Sequence, residues 1–426
     1  MQHPHTWPVS NPRPKTMATT AFLEKLHAQA LIYTDGSVPF AKAAMASRIP
    51  KLLHEIADQN AAKKSLSEAH CAKLRAFADD VAANKPIPAL SNPAIDPTWH
   101  ADYERLGAGK TWHDAAWFFA EAYLFRLVLD VTGYDEHGVD PFHCQKMHEL
   151  DDATPWRLLE TAAALDASDL PTREKLGDLM KLSLWGNKAD GAYKEVKDTI
   201  SGAHANLAVD DQYLLTNHCE QVIQHLESFH GTTTVHFIND NCGTEILLDL
   251  ALVDHLLTHK WCTSIVLHVK GAPTYVSDAT ANDIVETVRL MGDASRTPSV
   301  RALASRLQAF LDQGVLKPVG DLLWNQYRFY FELPPHVTNA LATAGLVFLK
   351  GDANYRRLLG DRLWPATTLI SEAVPYFPAP FVALRTMKSD PIVGILPAQE
   401  AALEAEDPLW RINGKRGVIQ SVLRRT

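Results

Sequence analysis

The chain has 426 residues, enough for one large domain or two ordinary ones. Its 46% hydrophobic and 21% charged residues are typical of a globular protein with a full core. The formal net charge of −9 argues against nucleic acid or an anionic membrane as a partner, because both attract a basic face. No apolar run approaches the ~20 residues that a membrane-spanning helix requires.

Residues 1–20 are predicted to form a disordered tail, because they combine prolines, histidines and hydroxyl residues without an apolar run. The same composition excludes a secretory signal. The five cysteines are scattered and form no CxxC pair, which argues against a disulfide scaffold and against a thiolate zinc site. We therefore expect a reducing compartment, and the cytoplasm is the predicted location.

Residues 21–230 are predicted to be mainly helical, because apolar residues recur at steps of three and four, as between Leu215 and Leu226. The segment from Trp117 to Leu127 is apolar on nearly all sides, which predicts a buried helix. Its charged residues Glu121 and Arg126 are expected to form a buried pair.

The pattern changes in residues 231–426, where predicted strands alternate with predicted helices. The predicted strands are Thr232 to Ile238, Thr263 to Val269, Gly345 to Leu349 and Phe381 to Leu384. Each of them is followed by a cluster of polar residues. This alternation predicts an α/β fold with a parallel sheet and helices on both faces, on which the helical N-terminal region packs.

The polar clusters are expected to meet, because ligands bind outside the carboxyl ends of the strands in open parallel sheets. Asp240 and Asn241 follow the first predicted strand, and Asp278 follows the second. Their oxygen atoms are hard ligands that suit magnesium, manganese or a similar divalent ion. Each also has a structural interpretation, since an Asp-Asn pair commonly forms a turn and Asp278 stands where a helix N-cap belongs.

A basic cluster is expected beside this acidic one. The segment from Asp352 to Arg356 opens a helix after a glycine, so its backbone amides favour an anion. Arg385 and Lys388 add positive charge after the fourth strand, although such a stretch is commonly a solvated edge, and Lys350 could be a plain loop residue. An acidic metal site beside a basic anion site suits phosphoryl transfer. None of the 19 histidines was found in a HExxH or similar spacing, which argues against a histidine metal site.

Several ordered motifs resemble those of one family. Asp240 to Glu245 (DNCGTE) resembles the DNAGxE signature of the damage-control phosphatase family, also called the acidic-residue methyltransferase-like family. Further segments that resemble the family are Val276 to Asp278 with Asp283 (VSDxTxxD), Lys350 to Arg362 (KGDLNYRKLLGDR), Trp117 to Arg126, and Leu184 to Asp190. Arg385 to Lys388 matches the RTxK motif of the third subfamily, whose members are sugar-phosphate phosphatases.

The resemblance implies a divalent cation, Mn²⁺, Co²⁺, Ni²⁺ or Mg²⁺, held by Asp240, Asn241 and Asp278, which are also the predicted catalytic residues. The predicted substrate-binding residues are Asp352, Asn354, Tyr355, Arg356, Arg385, Lys388, Asn187 and Asp190. The last two either line the cleft or cap local structure. The expected function is metal-dependent hydrolysis of phosphate from small phosphorylated metabolites such as sugar phosphates.

The sequence departs from the family pattern at Cys242, Thr244 and Ala353, where Ala, Phe and Leu are usual. These positions carry no predicted ligand, so the departures concern the shape of the pocket and the identity of the substrate.

Alternatives remain for both mechanism and function. Water is the expected nucleophile, with covalent attack by Asp240 as the variant. An S-adenosylmethionine-dependent protein-glutamate methyltransferase is the second function, although no glycine-rich strand-to-helix turn with a following acidic residue supports it. A non-catalytic binding protein is the third, and the retention of the three ligands and Lys388 argues against it. The sequence predicts no oligomeric state.

Overall fold

The computed structural model describes residues 19–92, 94–186 and 211–423, and most strands in these ranges join one sheet. The strands are β1 (Ala30–Leu31), β2 (Leu214–Asn217), β3 (Thr234–Ile238), β4 (Ser264–Lys270), β5 (Leu316–Asp321), β6 (Leu346–Lys350), β7 (Arg362–Leu363), β8 (Phe381–Thr386) and β9 (Gly417–Val422). Seven of them form a sheet in the order β2-β9-β8-β6-β3-β4-β5, and β1 pairs separately with β7.

The helices before residue 187 are α1 (Thr20–His27), α2 (Pro39–Ala43), α3 (Ile49–Lys63), α4 (Glu68–Ala82), α5 (Pro97–Leu106), α6 (Trp117–Thr132), α7 (Tyr134–His137), α8 (His143–Asp151), α9 (Ala153–Ala167) and α10 (Thr172–Trp185). The later ones are α11 (Cys219–Glu227), α12 (Thr244–Thr258), α13 (Ala281–Met291), α14 (Pro298–Asp312), α15 (Pro335–Ala342), α16 (Gly351–Leu359), α17 (Ile370–Ala373) and α18 (Pro397–Glu406). Among the residues described here, none of these helices is long and apolar enough to cross a membrane.

The four predicted strands correspond to β3, β4, β6 and β8, which run parallel to one another in the middle of the sheet. Their residues are almost all buried, as expected for strands covered on both faces. The prediction missed β2, β5 and β9. Strand β5 pairs with β4 in parallel. Strand β9 is antiparallel to β8, and β2 pairs with β9 in parallel at the edge of the sheet.

Helices cover both faces of the sheet. Helices α9, α10 and α12 share one apolar core with the face that carries Phe237 and Leu267. Helices α15 and α16 pack against the opposite face, which carries Val347 and Leu349. The predicted α/β fold class is therefore confirmed. Helices α9 and α10 belong to this core although they precede residue 231, and the division into domains stays a prediction.

The N-terminal helices α3, α4 and α6 form a third core, which includes Val276 from the loop after β4. The predicted buried helix is α6. The expected Glu121–Arg126 pair is wrong, because residues five apart in a helix do not lie on the same side. Arg356 donates to Glu121 at 2.7 Å, and Arg126 donates to Asp135 at 2.8 Å.

Candidate active site

The chain changes its winding direction between β3 and β6, which are neighbours in the sheet. From β3 it continues to β4 and β5 on one side, and it then returns to β6 on the other side. Such a switch point leaves a crevice outside the carboxyl ends of the two strands. Asp240 follows β3 there, and Gly351 follows β6 with φ of +82°. A Cβ atom on Gly351 would lie 1.9 Å from Asp240 Oδ2, so the approach requires glycine.

A short backbone contact brings the three predicted metal ligands together. Asn241 and Asp278 form an antiparallel β-bridge, and the N–H of Ala279 donates to the carbonyl oxygen of Asp240 at 2.9 Å. The hydroxyl of Ser277 donates to Asn241 Oδ1 at 2.7 Å, which orients the amide. The side-chain amide of Asn241 donates to Asp240 Oδ2 at 3.0 Å. These residues thus form one acidic group beside the crevice.

The charges of this acidic group favour a cation. Asp240 is 6% exposed and Asp278 is 2% exposed. Burial and the negative charges of Asp278 and Glu245 raise the pKa of Asp240 well above its ordinary value. Burial also raises the pKa of Asp278, whereas the Lys270 ammonium, 3.1 Å from its Oδ2, acts in the opposite direction. Two buried carboxylates and the Asn241 amide oxygen are a suitable donor set for a hard divalent ion, which would relieve the repulsion.

The loop that carries Asp278 has an unusual backbone. Tyr275 and Val276 have φ of 48° and 68°, although neither is glycine. Such a conformation is unfavourable for a β-branched residue and persists where surrounding contacts impose it. Val276 is buried in the N-terminal core, and the Tyr275 ring lies 5.0 Å from the ring of Phe125 in α6. The N-terminal helices therefore hold the loop of a predicted metal ligand in place.

A buried lysine lies behind the acidic group. The Lys350 ammonium donates to the carbonyl oxygen and to the hydroxyl of Ser183, both at 2.7 Å. It also lies 3.0 Å from Asp249 Oδ1 and 3.4 Å from Glu245 Oε1. Burial, opposed by Lys350, raises the pKa of Glu245 to about 7. Asn241, a predicted metal ligand, donates to Glu245 Oε2 at 2.9 Å, so Glu245 connects Lys350 to this ligand.

Lys350 is fully buried as the last residue of β6, so its interpretation as a plain loop residue is wrong. No role is predicted from the sequence for Ser183 or Asp249. The available signal was Glu245 and Asp249, two acidic residues four apart in the apolar first half of α12. Such a pair in a buried helix predicts a buried cationic partner.

The basic cluster lies at the end of β8, beside the start of α16. Arg385 is fully buried, and its guanidinium donates to Asp352 Oδ1 at 2.7 Å and to the carbonyl oxygen of Ser389 at 2.8 Å. The backbone N–H of Lys388 also donates to Asp352 Oδ1, at 3.2 Å. The positive charge of Lys388 opposes the rise in the pKa of Asp240. Arg385 and Asp352 thus join the two elements, and Lys388 acts electrostatically on the acidic group.

The side chains of Asn354, Tyr355 and Arg356 all contact the protein itself. The amide of Asn354 donates to carbonyl oxygens at the ends of β6 and β3, at 2.9 and 3.2 Å. The hydroxyl of Tyr355 donates to Gln420 at 2.6 Å, and Arg356 donates to Glu121 at 2.7 Å. Through these contacts the three side chains connect α16 to the ends of β3 and β6, to β9 and to α6. Their predicted contact with substrate stays a prediction.

The predicted substrate-binding residues Asn187 and Asp190 lie outside the described residues. Helix α10, which leads toward them, ends at Trp185 and contributes Ser183 to the Lys350 network. The role predicted for Asn187 and Asp190 therefore stays a prediction.

The sequence argument against histidine ligands overlooked one pair. His255 and His259 are four residues apart, at the end of α12 and directly after it. Asp166 of α9 completes a group of three side chains whose ligand atoms lie within 4.8 Å of one another. Only the fold places Asp166 next to the pair, since it comes 89 residues before His255.

The sequence matches the family model for the "Damage-control phosphatase ARMT1-like domain" over residues 44–403. This range includes the acidic group, Lys350 and the basic cluster. The chain belongs to this family. The family recognised from the sequence motifs is thus confirmed.

Relatives of the damage-control phosphatase family align with most of the chain. A protein from Rattus norvegicus, named "Damage-control phosphatase ARMT1", is 30% identical over 387 residues, which cover 84% of this chain and 87% of the relative. The protein of the same name from Danio rerio is 27% identical over 422 residues, covering 89% and 94%. The crystal structure of a DUF89 family protein from Pyrococcus horikoshii covers 90% of this chain and 98% of its own, with 13% identity and a TM-score of 0.47.

Proposed function

We propose that this member of the damage-control phosphatase family is a divalent-metal-dependent phosphatase that hydrolyses small phosphorylated metabolites, sugar phosphates among them. The observation that carries the proposal is the meeting of Asp240, Asn241 and Asp278 with the start of α16 at the switch point of the sheet. Family membership supports the phosphatase activity.

Asp240, Asn241 and Asp278 would hold the metal. When bound, a divalent ion neutralises phosphate oxygens and lowers the pKa of a bound water molecule. The chain prepares the ligands by fixed contacts: Ser277 orients the Asn241 amide, and Lys270 pairs with Asp278. Burial of both carboxylates keeps bulk water from screening their charge.

The phosphate would bind on the other side of the crevice. The first backbone amides of α16 carry partial positive charge, and Gly351 presents no side chain in front of them. Lys388 supplies a full positive charge at the end of β8. Asp352 positions this segment, because it accepts hydrogen bonds from Arg385 and from the N–H of Lys388.

Water is the nucleophile in this proposal. Its oxygen forms a bond to phosphorus, the ester P–O bond breaks, and the alcohol leaves with a proton that originates from the water. Asp240 already accepts a hydrogen bond from Asn241 on Oδ2, beside Gly351, as a member of the ligand set. In this proposal Asp240 serves as a metal ligand, and covalent attack by Asp240 stays the alternative.

The test is phosphate release from a panel of sugar phosphates with Mn²⁺, Co²⁺, Ni²⁺ or Mg²⁺ and with a chelator. We expect release with at least one ion, none with the chelator, and a large loss in Asp278→Asn, which preserves side-chain size. Asp312→Asn, a change at an exposed position on α14, is the matched control and should keep wild-type activity. No release with any ion, or full activity in Asp278→Asn, would refute the proposal.

A further inference from the structure

Asp166, His255 and His259 converge at the end of α12 that lies away from the candidate active site. Asp166 Oδ1 is 2.6 Å from His255 Nδ1 and 3.1 Å from His259 Nε2. In the described part of the chain, this is the one group of three His, Cys, Asp or Glu side chains with ligand atoms within 4.8 Å of one another. Helix α9 and the end of α12, with the residue that follows it, thus bring three potential ligands to one point.

The donor set matches a particular class of ion. Two imidazole nitrogens and one carboxylate oxygen favour zinc, cobalt or nickel over magnesium or calcium. Zinc bonds of about 2.0–2.2 Å place tetrahedral ligand atoms about 3.3–3.5 Å apart, so the group has to open only slightly. His255 is fully buried, whereas the side chains of Asp166 and His259 are 16% and 27% exposed. Solvent therefore reaches one side of the group, where an ion can enter and a water molecule can complete the coordination.

Neighbouring cations have other partners. Arg306 donates to the carboxylate of Asp254, with its shortest contact at 2.6 Å. Lys175 donates to the backbone carbonyl of Asp166 at 2.7 Å, not to its carboxylate. The two histidines are thus the side chains that contact the carboxylate of Asp166. Their ring centroids are 4.5 Å apart, so both imidazole rings lie next to the same carboxylate.

We propose that Asp166, His255 and His259 bind a divalent transition-metal ion, with zinc as the preferred ion, and that this ion joins α9 to the end of α12. Glu245 and His255 are ten residues apart along α12, or about 15 Å at 1.5 Å per residue. The ion is therefore separate from the candidate active site. Its role is to fix the end of α12 to α9, at the opposite end from the first turn that contributes Glu245.

Zinc binding to the full-length protein provides the test. Equilibrium dialysis with metal analysis should show that His259→Gln binds one zinc equivalent fewer than the wild-type protein. Asp166→Asn preserves side-chain size and should show the same loss. His27→Gln, at an exposed position in α1, is the matched control and should bind as much zinc as the wild-type protein.

A second readout separates this group from the candidate active site. With Co²⁺, the Asp278→Asn protein should show visible absorption bands of a four-coordinate nitrogen-oxygen site, and Asp278→Asn/His259→Gln should lose them. Phosphate release by His259→Gln with Mn²⁺ should stay at the wild-type level if the family activity is present. If both His259→Gln and Asp166→Asn bind as much zinc as the wild-type protein, the proposal is overturned. Asp166, His255 and His259 would then be joined by hydrogen bonds alone.

Discussion

Gly351→Ala tests whether the close approach of β6 and β3 sets the position of Asp240. Two effects are expected. An alanine at φ of +82° costs about 1–2 kcal/mol, because its Cβ crowds the backbone in the left-handed region. The new Cβ would also lie 1.9 Å from Asp240 Oδ2, so the carboxylate has to move away and lose its 3.0 Å contact with Asn241.

Gly414→Ala separates these two effects. Gly414 has φ of +73°, and a Cβ there meets nothing within 4 Å. We therefore expect Gly414→Ala to lower the free energy of unfolding by about 1–2 kcal/mol with wild-type phosphate release. Gly351→Ala should show a similar or larger loss of stability. It should also lower phosphate release by about 10²–10³, the usual effect of removing one electrostatic group from a catalytic site.

The assay combines urea unfolding with phosphate release at saturating metal. If Gly351→Ala retains wild-type turnover, Asp240 does not depend on the contact and the proposed geometry of the metal ligands is refuted. If Gly414→Ala loses as much activity as Gly351→Ala, the effect comes from backbone strain in general.

Three further substitutions test other parts of the site. Lys350→Met removes the cation next to the buried carboxylate of Asp249, so we expect urea unfolding at pH 8 to show a loss of about 3–5 kcal/mol. Burial raises the pKa of Asp249, and Lys350 opposes this rise. Without Lys350 the folded protein therefore binds a proton at Asp249 more readily than the unfolded chain does. The loss in free energy of unfolding should consequently shrink toward pH 5. Lys388→Met should lower turnover by about 10²–10³ while the protein stays folded, and Lys388→Arg should recover little of the turnover. Glu121→Gln weakens the bracing contact of Arg356, so it should lower the thermal midpoint and leave KM for the phosphorylated substrate unchanged.

Each of these predictions has a contradicting result. A pH-independent loss in Lys350→Met would mean that Asp249 is not the affected carboxylate. Wild-type turnover in Lys388→Met would remove Lys388 from the phosphate site. An increase in KM without a loss of stability in Glu121→Gln would show that Arg356 contacts the substrate.

The middle of the sheet could be predicted because buried parallel strands have continuous apolar runs that end in polar clusters. The missed strands lack that signal. Strand β5 lies at one edge and contains Lys317, Pro318 and Gly320, and β2 is a four-residue strand at the other edge. A search for apolar runs cannot detect edge strands of this kind, because hydrogen bonds to the neighbouring strand stabilise them more than burial of their own side chains does.

The candidate site was predictable where the strand ends supply its residues, as for Asp240, Asn241 and Asp278. Contacts between distant segments were not predictable. Ser183 contacts Lys350 from 167 residues earlier, and Glu121 contacts Arg356 from 235 residues earlier. Such partners are set by how helices pack on the sheet, and no spacing along the sequence records that packing.

The strained loop at Tyr275 and Val276 has a consequence for how this protein can vary among its relatives. The backbone there is held by α6 and its neighbours, whereas Asp278, the predicted metal ligand that follows it, lies at the end of the sheet beside Asn241. An exchange of the N-terminal helices with those of a relative would therefore have to preserve the contact of Phe125 with Tyr275. Substitutions at Phe125 and Tyr275 are expected to co-vary, and a chimera that mismatches them should fold yet bind the proposed metal weakly.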